Sequence, residues 1–187
     1  MRHLELNKEE FAFLQKSEIE KVKYSFKRSN IKRILIASAL CGEGKTTIAL
    51  NICLSLAEDG EKILYIGKKS RFIGGNTEND GKISNSGTEN FDIMLTDNLK
   101  AVCVREYQDY DRVFIESPAL DVSTEGIFLA DHSDAVLLVV ETNRAGYRQL
   151  REARDLLTEG RCKELRIVLN RVKKNYGVLK RKKLRRD

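Results

Sequence analysis

Residues 33–58 read RILIASALCGEGKTTIALNICLSLAE: a short apolar run, a turn of small residues, then apolar side chains at regular four-residue spacing. The opening run, Arg33 to Ser38, is isoleucine-rich and without alternation, which fits a strand buried on both faces. In the closing stretch Ile48, Ile52 and Leu56 repeat every fourth position, as do Ala49, Cys53 and Ala57, which predicts a helix with a wide apolar stripe. Asp59-Gly60 marks its end with a residue able to take positive φ.

The turn between them, Ala39 to Thr47, therefore sits directly after a strand and directly before a helix, the context that makes a glycine-lysine pattern a phosphate loop. Gly42 and Gly44 let the backbone curl so that successive N–H groups converge, and the helix N-terminus adds partial positive charge. Lys45 is placed to reach the outer phosphates of a nucleotide, and the Thr46 hydroxyl to hold Mg²⁺. The expected nucleotide contacts are Cys41, Gly42, Glu43, Gly44, Lys45, Thr46 and Thr47, with ATP as the ligand. Ala39 stands where the usual pattern opens with glycine, a position that accepts a small residue.

Outward from the loop, Lys62 to Gly67 reads as a second strand and completes a βαβ unit. Further apolar runs at Arg112–Glu116, Ala135–Val140 and Arg166–Asn170 suit strands covered on both faces, and Tyr147, Leu150, Ala153 and Leu157 mark a helix between the last two. The expected fold is α/β: a three-layer P-loop NTPase fold with a mostly parallel central sheet flanked by helices. Residues 7–24 are predicted helical, opened by Asn7 with Glu10 three positions on. The segments Gly74–Gly81 and Ser84–Asn90, almost without large apolar residues, are expected to form a mobile loop. The chain divides into an N-terminal helical segment (1–30), a nucleotide-binding domain (31–172) and a basic tail (173–187).

A chain of 187 residues suits one domain with a proper core. Its formal charge of +6 is concentrated at the end, in Lys173-Lys174 and LKRKKLRRD, so the tail rather than the domain is basic. The four cysteines fall singly, which argues against a disulfide framework or a zinc site. With no apolar stretch near the ~20 residues of a membrane helix and no signal peptide at the start, the expected location is cytosolic.

Four stretches, taken in order, resemble landmarks of the bacterial tyrosine kinases of capsular and exopolysaccharide synthesis, within the MinD/ParA-like P-loop ATPases. They are Ser38–Thr47 (SALCGEGKTT), Gly60–Gly67 (GEKILYIG), Tyr110–Ala119 (YDRVFIESPA) and Ile167–Val172 (IVLNRV). Leu40 stands where the MinD/ParA phosphate loop carries its marker lysine, which favours the kinase branch. The resemblance implies ATP and Mg²⁺ as cofactors and transfer of the γ-phosphoryl group to tyrosine hydroxyls, or ATP hydrolysis, with Lys45 stabilising charge. It also implies Glu116 at the position of a metal-site aspartate, a membrane adaptor of the polysaccharide-export type as partner, and recruitment to the inner face of the membrane.

The chain departs from that pattern at one decisive place. The family's second strand ends in Ile-Asp-x-Asp-x-Arg, whose carboxylates manage Mg²⁺ and the attacking tyrosine; here Ile66-Gly67-Lys68-Lys69-Ser70-Arg71 keeps only the arginine. Losing a base or a metal anchor commonly costs orders of magnitude in phosphoryl transfer, whereas binding survives more readily. Lys68 and Lys69 are either phosphate neutralisers or solvated loop lysines. The family's C-terminal tyrosine cluster is reduced to Tyr176. The class left open beside a kinase is a non-catalytic nucleotide-sensing regulator, and a third is a MinD/ParA-like ATPase acting at a membrane or DNA.

Weaker signals each carry two meanings. Asn170 and Arg171 fall where related proteins contact the base, or simply cap a strand. Cys41 is either an oxidisable loop thiol or a small tolerated residue. Glu18 and Lys21 lie where the family carries a motif of ring-like self-association, or form a helix-surface ion pair, which leaves homo-oligomerisation open. The basic tail suits weak contact with an anionic membrane surface or nucleic acid, or only water. His3 and His132 suggest no catalytic dyad.

Overall fold

The strand Arg33–Ser38 (β1) runs through the centre of the molecule, and its alternation explains why it needed no polar face. Ile34 and Ile36 enter one apolar cluster while Leu35 and Ala37 enter another on the opposite side of the sheet. The structure, a computed structural model, describes residues 16–27, 30–69, 80–159 and 162–172. In order these form α1 (Lys16–Lys27), β1, α2 (Lys45–Glu58), β2 (Ile63–Gly67), β3 (Ile83–Thr88), β4 (Phe91–Leu95), α3 (Leu99–Cys103), β5 (Arg112–Glu116), α4 (Glu125–Asp131), β6 (Ala135–Glu141), α5 (Tyr147–Thr158) and β7 (Leu165–Asn170).

The described strands make one seven-stranded sheet in the order β3-β4-β2-β5-β1-β6-β7. All neighbours are parallel except β3 and β4. Helices α1 and α2 cover one face and α3, α4 and α5 the other, which gives the three-layer α/β architecture expected. The paired strands β1 and β5 both end at the edge where α2 begins, with Ile36 opposite Glu116. Chain order reverses around β1, with β2 and β5 on one side and β6 on the other, so the carboxyl ends of these strands open a crevice of the kind that holds ligands.

Helix α1 buries Ile19 and Phe26 in the α2 layer, where Phe26 meets Phe114 edge-on with ring centres 6.1 Å apart. Lys23, almost fully buried, ties the two helices by donating to Ser55 Oγ at 2.9 Å and pairing with Asp59 at 3.0 Å. The predicted helix over 7–24 thus appears as Lys16–Lys27, and residues 7–15 lie outside the described residues.

The expected mobile loop over Ser84–Asn90 is corrected. Ile83–Thr88 forms edge strand β3, antiparallel to β4 and joined to it by a turn in which Asn90 takes φ 60°. An edge strand needs backbone partners rather than apolar side chains, and here serine hydroxyls reinforce the pairing. Ser84 Oγ donates to the Ile93 carbonyl at 3.1 Å and Ser86 Oγ to the Phe91 carbonyl at 2.6 Å. The hairpin's burial comes from Phe91, Ile93 and Met94 on β4. Among the described residues no helix is long and apolar enough to cross a membrane.

Candidate functional site

The turn after β1 adopts the conformation its glycines predict. Gly42 and Gly44 take φ of 83° and 90°, values in the left-handed region that side chains beyond glycine resist. Gly44 caps α2 with no side-chain cap, so the N–H groups of the helix's first turn face the crevice end of the sheet. Lys45, the first residue of α2, is 3 % exposed, and its Nζ donates to Ser38 Oγ at 2.6 Å. Ser38 in turn belongs to the end of β1, so the lysine is carried back along the strand it follows.

Thr46 and Glu116 come together from α2 and β5. Thr46 Oγ1 donates to Glu116 Oε1 at 2.9 Å, and Tyr65 of β2 donates from its hydroxyl to Glu116 Oε2 at 2.5 Å. Glu116 is 2 % exposed and Tyr65 is 1 % exposed. A buried carboxylate needs such donors, because an unsatisfied charge in the interior is costly.

Gly67 and Lys69 stand at the end of β2 where the resemblance led one to expect carboxylates. Lys68 forms an ion pair with Glu125 at 3.2 Å, at the first turn of α4. The Lys69 backbone N–H donates to the Thr96 carbonyl at 3.4 Å. Ser70, Arg71, Tyr176 and the basic tail lie outside the described residues, as do the side chain of Glu18 and residues 74–79.

Several residues expected at the ligand also support the loop. The Glu43 side chain is fully buried and accepts from the Leu40 N–H at 2.8 Å and the Glu141 N–H at 3.1 Å, so it braces the loop against β6. Asn170 donates from Nδ2 to the Glu43 carbonyl at 2.9 Å and accepts from the Arg171 N–H, which locks the end of β7 to the loop. Arg171, at φ 54°, pairs with Glu141 at 2.9 Å. Thr47 lies in the first turn of α2 and accepts, through its carbonyl, from Asn51. Cys41 is exposed, and its N–H donates to Asp121 Oδ2 at 3.3 Å.

Sequence reasoning missed three residues. Arg144 donates to the carbonyls of Cys41 at 2.6 Å and Gly42 at 3.3 Å, and to Glu141 at 3.0 Å, so a guanidinium clamps the outside of the loop. Hydrogen bonding to Arg171 and then to Arg144 holds the Glu141 carboxyl below the usual carboxylate range. Tyr65 lay hidden in an apolar run, and Asp121 carries no local pattern. None of the three had a signal in its own stretch, because each reaches the site from another strand or connection.

No family model matches the chain. A tyrosine-protein kinase, CpsD of Streptococcus pneumoniae serotype 4, is 25 % identical over 79 % of this chain and 81 % of its own length. The kinase domain of Escherichia coli tyrosine kinase ETK superposes with a TM-score of 0.66 at 16 % identity, over 90 % of this chain and 77 % of that one. The MinD cell division protein of Aquifex aeolicus gives a TM-score of 0.62 at 20 % identity, over 76 % of this chain and 70 % of that one. At such identities the solved structures establish the fold, while the kinase relatives share sequence along most of the chain. In sequence the chain is similar to bacterial tyrosine-protein kinases along most of its length, and its fold is that of the kinase domains and MinD/ParA-like P-loop ATPases it superposes on.

Proposed function

We propose that this protein binds ATP as a nucleotide-sensing regulator of the tyrosine-kinase type that serves capsular or exopolysaccharide synthesis, and that it has given up phosphoryl transfer. The observation that carries this is the convergence of Lys45, Thr46 and Glu116 at the carboxyl ends of β1 and β5 on a loop with two left-handed glycines. Backbone N–H groups of the loop and the start of α2 would cradle the phosphates, and Lys45 would meet their charge in place of Ser38.

Thr46 and Glu116 also fit Mg²⁺, since a hydroxyl and a carboxylate are hard oxygen donors and the ion readily takes its other ligands from water and phosphate. When bound, the ion would neutralise phosphate charge.

The case against transfer rests on β2. With glycine and lysine at positions 67 and 69, and Tyr65 turned onto Glu116, no carboxylate from this strand reaches the crevice to orient an attacking hydroxyl. Nucleotide state would then act through the loop and the adjoining connections, with a membrane adaptor as partner at the inner membrane face, as the resemblance implies. An active kinase is the competing reading, favoured by the names of the relatives.

Calorimetry with ATP and ADP, with and without Mg²⁺, tests both on wild type and Lys45→Ala, with ³²P transfer followed in the same samples. Binding that Lys45→Ala abolishes, without label on protein, supports the sensor. Label on tyrosine establishes the kinase, and absence of binding in wild type overturns both.

A further inference from the structure

Both oxygens of Glu116 accept from hydroxyls that arrive from different elements, Thr46 from α2 and Tyr65 from β2. The Tyr65 ring reaches Glu116 by lying over Gly67. A Cβ added at Gly67 would stand 2.9 Å from both Tyr65 Cε1 and its hydroxyl oxygen, and 3.1 Å from Cζ. Gly67 is not among the glycines of positive φ, so its backbone does not require glycine; the tyrosine ring does. The ring is enclosed in the α2 layer with Ile48, Ile63 and Phe114, which leaves it little room to swing aside.

A side chain at position 67 therefore has to displace the end of the Tyr65 ring and so disturbs its hydrogen bond to Glu116. We propose that Tyr65 is the positioning residue of the metal carboxylate: it aims Glu116 at Thr46 and, by occupying the space over Gly67, bars β2 from offering a side chain to the same site. This rests on the ATP·Mg²⁺ reading above and adds to it the residue that sets the direction of the metal carboxylate.

Partners that orient a metal ligand from behind commonly matter about 10–100-fold in metal affinity. The test is ATP calorimetry across a Mg²⁺ series on wild type, Tyr65→Phe, Gly67→Ala and the double variant. Tyr65→Phe is expected to raise the Mg²⁺ concentration for half-maximal enhancement about tenfold, with a smaller change in Mg²⁺-free affinity. Gly67→Ala is expected to shift it equally by displacing the same hydroxyl, and the double variant to match either single change.

A second readout follows from composition. The chain has no tryptophan and six tyrosines, so its ultraviolet emission comes from tyrosine, and a phenol hydrogen-bonded to a carboxylate is quenched. Mg²⁺ with ADP should alter that emission in wild type and much less in Tyr65→Phe. Wild type that binds ATP·Mg²⁺ while both single variants keep its Mg²⁺ dependence overturns the role of Tyr65 alone. Single shifts that multiply in the double variant overturn the coupling to Gly67. Wild type that binds no nucleotide overturns the ATP reading and this proposal together.

Discussion

Asn170 Nδ2 occupies the place that a Cβ on Gly44 would need, well inside contact distance, while it donates to the carbonyl of Glu43 next door. The end of the last described strand and the glycine before the loop lysine are thus fitted to each other. Gly44→Ala meets two obstacles, the left-handed φ of 90° and the asparagine amide. Left-handed strain alone costs about 1–2 kcal/mol. Urea denaturation should show at least that loss for Gly44→Ala, and adding Asn170→Ala should recover the clash but leave the backbone strain. Equal stability of Gly44→Ala and wild type would contradict the loop geometry.

Arg144 makes a different prediction, because it holds loop carbonyls rather than a ligand. Hydrogen bonds from charged donors contribute about 1.5–3 kcal/mol each at best, and this side chain is partly exposed, so Arg144→Ala should weaken ATP binding by roughly tenfold or less. Lysine cannot reproduce the fork of donors that spans two carbonyls, so Arg144→Lys should recover little. Amide hydrogen exchange should quicken at residues 41–43 in both variants.

Glu116→Gln separates charge from shape. The amide keeps one oxygen able to accept from Thr46 or Tyr65, but loses the negative charge that attracts Mg²⁺. Calorimetry should show ATP affinity without Mg²⁺ retained or improved, with the Mg²⁺-dependent gain lost. A variant that kept full Mg²⁺ enhancement would remove Glu116 from the metal site.

Stability in acid should depend on Asp134. Burial pushes its carboxyl up, but the N–H groups of Arg33 at 2.9 Å and Lys32 at 3.1 Å, with the Lys163 ammonium, outweigh this and hold it below the ordinary 3.8. A carboxyl lowered on folding stabilises the native state above the unfolded value, and that contribution fades as pH falls through the folded value. Thermal denaturation of wild type against Asp134→Ala should therefore show a constant gap at neutral pH that narrows below about pH 4. A gap unchanged at pH 2 would mean that the side chain acts through packing.

Lys45→Ala removes a nearly buried ammonium that rests on Ser38, so the apo fold should tolerate it while nucleotide affinity collapses. Circular dichroism and calorimetry on the same samples distinguish loss of binding from loss of fold.

Features that depend on near neighbours along the chain were legible before any folding. The runs at β1, β2, β5, β6 and β7 were legible because a strand covered on both faces must be apolar throughout, and α2 and α5 because a buried stripe repeats with the helical turn. The loop was legible for the same reason, since Gly42, Gly44, Lys45 and Thr46 act within one turn of chain. The β3–β4 hairpin was not, because an edge strand draws its stability from backbone pairing that composition does not record. Nor was the grip on the loop and the carboxylate: Tyr65 meets Glu116 across 51 residues, and Arg144 meets Cys41 across 103. Those contacts depend on which strands lie side by side and how their side chains share space. Only the tertiary structure could decide that the glycine at position 67 makes room for a tyrosine.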